Sequence, residues 1–328
     1  MPERSMIAQK VQWGVETVEG TAVPANKLLP SISVDLSIEA TIDRLRAMGY
    51  NWATITTLLN ESSAGDLEGR PDFNSIIYPL SSAISTAVIT TPTGGTTSRQ
   101  WVHTLLAQGP DTRKSFTVEQ GDSSFAERAA GVLVKDFNLA ISPTTMEVGG
   151  AVIGKKIETG VTLTASPTAV ALQPVTPLHF NVYADDTQAA LGTTKLTRAL
   201  AANFGVSDRW GPIWTIDRAL AGSYAATIQT EPDSGCDLTV MADTVGLAFL
   251  TAMRSGAKKY IRLEAVGPVI EAAITYKLLI DFAATIGDSP SFEDQDDVRA
   301  ITLPLKLASD ATWGKAAEIT VVNVMTAL

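Results

Sequence analysis

From Ser31 to Asp43 polar and apolar residues alternate without a break. A period of two sustained over that length fits a β-strand with one buried and one wet face, and no helix presents its side chains that way. Such a strand needs a sheet around it and a second layer over its apolar face. The even positions Leu200, Ala202, Phe204 and Val206 repeat the pattern in the second half of the chain, with parity kept under a shift of 166. Strand-like runs rich in Val, Ile, Leu and Thr cover 115–118, 132–141, 178–183, 261–266, 273–282, 300–307 and 317–324. Helical spacing is confined to two stripes. One is Phe73, Ile76, Ile77, Leu80 and Ile84; the other is Val245, Ala248, Phe249 and Ala252, with Asp243 or Thr244 as its N-cap. Pro79 lies inside the first stripe and predicts a helix that is kinked or short. The expected class is mainly β, a β-rich α+β chain with one helix flanking each half.

Internal similarity supports that division. Gly121-Asp122-Ser123 recurs as Gly287-Asp288-Ser289, and Phe137–Ile141 matches Leu303–Leu307 at the same offset of 166. Glu61 and Gly65 match Glu231 and Gly235 at 170, which aligns 72–85 with 242–255. Four blocks in one order predict a duplicated unit. The domains are then 1–160 and 177–328, joined by a linker at 161–176 within a softer stretch of Thr, Ala, Val and Pro. Thr90–Ser98 reads as a flexible polar loop with no counterpart in the second half.

The residues that carry chemistry are sparse. The chain holds 25 Lys and Arg against 35 Asp and Glu, and both halves are acidic: 13 against 17 in residues 1–164, 12 against 18 in 165–328. That balance disfavours a surface made to grip phosphate backbones. One cysteine, Cys236, allows no intrachain disulfide, and two histidines leave no Cys/His zinc set. Gly149–Lys156 has phosphate-loop spacing, but Lys156 stands where a hydroxyl must hold magnesium, so a glycine-containing turn between strands is the expectation. His103 and His179 have no nucleophile nearby in sequence, and Asp237 beside Cys236 raises its thiol pKa. Glu293, Asp294, Asp296 and Asp297 read as a solvated acidic loop lacking the glycine of a calcium-binding loop. No catalytic, cofactor or metal site is expected. No apolar h-region follows Met1–Met6 and no run approaches a membrane span, so a soluble protein made in the cytoplasm is expected.

The opening Gln12-Trp13-Gly14-Val15-Glu16-Thr17-Val18-Glu19-Gly20-Thr21-Ala22-Val23-Pro24 resembles the start of the major tail tube proteins of long-tailed bacteriophages. The layout after it is also similar: the alternating strand, a polar Glu61–Gly69 turn, one helix, and Val118–Asp122 leading into 132–141. The second half looks like another copy, so the resemblance covers nearly the whole chain. It implies two tandem β-sandwich or half-barrel domains, each flanked by one helix. Six such domains close a ring, and rings stack into a hollow tail tube assembled in the host cytoplasm. Two domains per chain imply three chains per ring, with pseudo-sixfold symmetry. Expected partners are further copies of the chain, a tape-measure protein and tail-terminator or tip proteins. Genomic DNA passes through without specific binding.

A conduit for a polyanion must not hold it, and an acidic wall meets that requirement. Asp35, Glu39 and Asp43 on the wet face of the first alternating strand are the candidate lumen residues, with an outer solvated face as the alternative. The matching positions Ala201, Asn203, Gly205 and Ser207 are uncharged. Other functional classes are a capsid or tail-decoration protein and a two-domain carbohydrate-binding or adhesive β-sandwich. Exposed clustered aromatics would favour the last, and only 6 % of residues are aromatic.

Overall fold

A computed structural model describes residues 9–220, 222–295 and 297–328. Met1–Met6, Asp296 of the acidic run and the Val245 side chain of the second helical stripe lie outside the described residues. The first half runs β1 (Lys10–Val15), β2 (Lys27–Leu28), β3 (Ile32–Leu45), β4 (Ile55–Gly69), α1 (Ile77–Ala83), β5 (Val88–Thr90), β6 (Arg99–Leu106), β7 (Phe116–Gly121), β8 (Ala126–Ile141), β9 (Met146–Gly154), β10 (Glu158–Val161) and β11 (Thr168–Ala169). The second continues with β12 (Phe180–Asp185), β13 (Ala199–Ser207), β14 (Trp210–Ile213), β15 (Ala226–Gln229), β16 (Asp233–Met241), α2 (Thr244–Ser255), β17 (Lys259–Glu271), β18 (Ile274–Ile286), β19 (Ser291–Gln295), β20 (Val298–Leu307) and β21 (Lys315–Asn323). The chain is mainly β, as the alternation predicts.

The antiparallel pairings repeat in order. β1 pairs with β7, β7 with β8, β8 with β9, β9 with β4, and β4 with β3. Likewise β12 pairs with β17, β17 with β18, β18 with β20, β20 with β16, and β16 with β13. β10 adds to β8 as β21 adds to β18. α1 follows β4 and α2 follows β16, so 72–85 and 242–255 occupy matching places in this order. The offset of 166 does not hold further along. Gly121–Ser123 enters the β7–β8 turn whereas Gly287–Ser289 connects β18 to β19, and Phe137–Ile141 belongs to β8 whereas Leu303–Leu307 belongs to β20. By pairing, β8 corresponds to β18 and β19 together. Both match a strand that runs on along one partner, and the Gly287–Pro290 segment interrupts only the second.

Several connections differ from the sequence expectation. Glu61–Gly69 is no turn; it is the end of β4, flanked by β3 on one side and β9 on the other. Its small residues permit that central place, since a Cβ on Gly65 or Gly69 would lie 2.2 Å from the carbonyl oxygen of Asp35 or Ser31. Gly149–Gly154 likewise sits within β9 rather than in a turn. The acidic run begins in β19 instead of a loop. The 161–176 segment is tied to the first half: β11 pairs with β2, Val170 and Val175 are buried, and Asn74 Nδ2 donates to the Ala171 carbonyl at 2.8 Å. Nor do 1–160 and 177–328 keep their sheets apart. β8 pairs with β13, and β6 pairs with β21.

α1 is short because Pro79 falls in its first turn, where an amide hydrogen has no intrahelical partner to lose. All seven of its residues are buried. α2 starts at the expected cap, with the Gly246 amide donating to Asp243 Oδ1 at 3.0 Å. The α1 C-terminus is closed by the second half. Arg209 donates from Nε to the Ala83 carbonyl and from Nη2 to the Ile84 carbonyl, each at 2.9 Å, and from Nη2 to Asp111 Oδ2 at 2.8 Å. Trp210 Nε1 donates to the Ser82 carbonyl at 3.0 Å.

The opening motif is a structural hub. Trp13 is fully buried edge-on against Phe116. The buried Glu16 carboxylate accepts from the Gly20 and Gly131 amides and from the Ser115 and Thr117 hydroxyls at 2.7–2.9 Å. Each lone pair offered by that carboxylate has a donor, which is what permits a charged group there.

The Thr90–Ser98 loop is anchored at its end. The Glu271 carboxylate, at the end of β17, accepts from the Thr96, Thr97 and Ser98 amides and from the Thr96 and Ser98 hydroxyls. The Ser98 hydroxyl bond above all, then the Ser98 amide and Thr96 hydroxyl, hold the Glu271 carboxyl well below its usual range. Because the folded pKa lies below the unfolded one, this stabilisation is present above the ordinary value of 4.5 and is lost as pH falls through the folded value. Glu271→Gln is therefore expected to lower the urea midpoint at pH 7 while losing less further stability than wild type between pH 5 and 3. Equal acid sensitivity in urea titrations would contradict this.

Candidate functional site

β3 and β4 form a hairpin that outgrows the body. The even residues Ile32, Val34 and Leu36 are buried on the core face, and beyond Leu36 β3 is exposed up to the turn at 46–54, whereas in β4 only residues 55–59 are exposed and Glu61 and Ser63 are buried. β4 is still paired with β9 at Ser63, opposite Ile38, and its Glu61 amide donates to the Gly222 carbonyl at 2.9 Å, so the ribbon stands free from Thr41 to Leu45 and reaches about 16 Å outward. The alternation predicts a buried face along its whole length; the finding corrects this for Ile38 and Ile42, which are 53 % and 56 % exposed. Leu58, opposite Ile42, and Leu59, the extra residue of a bulge, are bare as well. Met48, Tyr50 and Trp52 crown the turn. A two-stranded ribbon with an uncovered apolar face is marginal in water, and a bare apolar area on this scale marks a contact surface.

The other face is acidic. Asp35, Glu39 and Asp43 are exposed on it, where the alternation placed them, and Asp35 lies directly opposite Asp66. Like charges opposite each other cost stability in a sheet, so the Asp35–Asp66 pair does not contribute to the affinity of β3 for β4. The same face continues across both halves, because β8 residues 137–141 pair with β13 residues 206–202, giving the strand sequence β3, β4, β9, β8, β13, β16, β20, β19. Asp136, Glu147, Asp233, Asp237 and Glu293 lie on it by register. Lys306 shares the face and is already paired with Asp233. A shallow concavity of about 230 Å³ sits over the β8–β13 seam, lined by Asp136, Asn138, Asn203, Asp237 and the glycines between them. Sequence reasoning missed Asp66, Asp136 and Asp237. Membership of one face depends on pairing across strands far apart in the chain, so the parity of one strand alone could not show it.

Both ends of this joined sheet are open. Among the described residues β3 pairs only with β4 and β19 only with β20. One point of the β3 edge is filled: the Gln120 side-chain amide accepts from the Leu36 amide at 2.9 Å and donates to the Leu36 carbonyl at 2.8 Å. Beyond Leu36 the edge is bare, and open edges invite pairing with another chain.

The histidines, the cysteine and Lys156 of the glycine-rich segment have structural partners. His103 is fully buried, its Nδ1 2.7 Å from the Ser85 carbonyl, and desolvation pushes its pKa down to about 4. Burial first, with Asp237 adding to it, raises the Cys236 thiol to about 12. His179 accepts from the Thr176 amide at 3.2 Å in a local cap. Lys156 is paired with Glu61 at 3.1 Å. Among the described residues no group of three or more His, Cys, Asp or Glu is placed to hold a metal, and no helix is long and apolar enough to cross a membrane. No protein-family model matches this chain, and no curated protein matches it either.

Proposed function

We propose that the protein is a structural virion protein whose copies close into rings and stack into the hollow tail tube of a long-tailed phage. The observation that carries this reading is the joined sheet: two halves with the same order of pairings meet edge to edge at β8–β13, and the two remaining edges are open. Repeating such a junction between chains gives a heterologous interface, which closes when the rotation divides the circle. Three chains would supply six units, with alternate junctions inside and between chains. The apolar hairpin face supports stacking or lateral contact, and the acidic face supports a lumen that lets DNA slide without binding. Tape-measure and tail-terminator proteins are the further partners this reading implies. The exposed Tyr50 and Trp52 favour a second reading, an adhesive module whose hairpin tip grips a ligand.

Negative-stain microscopy of the concentrated protein separates the two readings. Rings or tubes with a central hole support the first, and dispersed particles at every concentration support the second. For the lumen, Asp35→Lys combined with Asp66→Lys, a directly opposite pair on the acidic face, is expected to leave rings forming while slowing DNA ejection and making it salt-dependent. Carboxylates act on DNA only within about 8 Å at physiological salt. Unchanged ejection kinetics would remove this face from the wall, and Asp35, Glu39 and Asp43 with it.

A further inference from the structure

Resting on the ring reading above, we propose that β19 of one copy adds antiparallel to β3 of the next in a single register, with Phe292 opposite Ile42 and Glu293 opposite Thr41. The seam inside the chain supplies the template. β8 offers its residues 137–141 to β13. By the order of pairings, β19 stands where that part of β8 stands and β3 stands where β13 stands. The two open edges are thus the two sides of the same kind of junction.

Three physical conditions fix the register. First, the faces must be continuous. Phe292 lies opposite the buried Ile301 and so on the core face, whereas Glu293 lies on the acidic face with Thr302 and Asp35. Even residues of β19 therefore oppose even residues of β3. Second, the Leu36 amide and carbonyl are held by Gln120, so pairing must begin beyond Leu36. Within the five residues of β19 and the end of β3 at Leu45, this leaves Phe292 opposite Ala40, Ile42 or Arg44. Third, charge decides among these. The Ala40 register sets Glu293 against Glu39, and the Arg44 register sets it against Asp43, each a like-charged pair directly opposite. The Ile42 register sets Glu293 against Thr41 and Gln295 against Glu39, and it joins an aromatic to a β-branched side chain on the apolar face of the ribbon, a favourable pair. Phe292, 48 % exposed in the single chain, is then covered. Glu39 and Asp43 thereby act as register keys in addition to any effect on the lumen.

Cysteine pairs read the register directly. The Leu36 groups point away from β4, so even residues exchange the hydrogen bonds of the new seam and odd ones form the closer pairs, about 4.5 Å between Cα atoms, within disulfide reach. Cys236 is buried and gives little background. Under mild oxidation at assembling concentrations, Thr41→Cys with Glu293→Cys is expected to give covalent oligomers ending in a closed trimer, at least fivefold more than Thr41→Cys with Ser291→Cys or Thr41→Cys with Gln295→Cys, which read the Ala40 and Arg44 registers with Glu39, Asp43 and Glu293 all kept. Stronger cross-linking by either control pair would overturn the register. Rings visible by microscopy with none of the three pairs cross-linking would overturn the β19–β3 seam while leaving the ring reading in place. Protein that remains monomeric at every concentration would overturn both.

Discussion

Arg209→Ala is expected to lower the stability of the chain by about 3–5 kcal/mol, the range for removing one partner of a buried ion pair. Arg209 and Asp111 have side chains 1 % and 4 % exposed, so the remaining carboxylate would be left charged with little water. The same substitution frees the Ala83 and Ile84 carbonyls at the end of α1, where a cation also complements the helix dipole. It removes the guanidinium stacked 4.9 Å over the Trp210 ring. Asp111→Ala should cost a similar amount, and the double variant less than the sum, since neither charge is then stranded. Urea unfolding at pH 7 measures all three. A loss below about 1 kcal/mol for Arg209→Ala would show that the second half does not hold α1 in place.

Replacing Ile38, Ile42 and Leu58 together by serine is expected to abolish assembly without unfolding the chain. All three are about half exposed in the single chain and lie outside the core, so the folded state loses only part of their burial and its melting temperature should fall by no more than about 4 °C, the scale of a change of about 1–2 kcal/mol in a chain this long. Covering such side chains contributes roughly 1 kcal/mol each or more, so the three weaken association by about 100-fold or more. Sedimentation velocity across a concentration series provides the comparison. Assembly at wild-type concentrations by the serine variant would mean that the ribbon faces solvent in the finished particle.

The alternation at 31–43 revealed a strand and the side on which Asp35, Glu39 and Asp43 lie. It could not show where that strand leaves the body, because Ile38 and Ile42 look like core positions in sequence and are bare in the single chain. Pro79 marks a short α1 in the sequence because its effect on the helix is local. The polar 61–69 segment was misleading because Ser, Gly and Ala suit both a turn and a closely flanked central strand. Arg209 carries no sequence signal, as its partner Asp111 is 98 residues away. The repeated order of pairings was legible only in outline. Gly-Asp-Ser recurs by coincidence at different connections, and the interruption at 287–290 changes the spacing after α2.

Native mass spectrometry of the detached ring tests the central claim most directly, because closure by paired units fixes the number of chains. Three times the 34.7 kDa chain mass is the predicted result. Six chains per ring, or a species that never exceeds one chain at assembling concentrations, would contradict it.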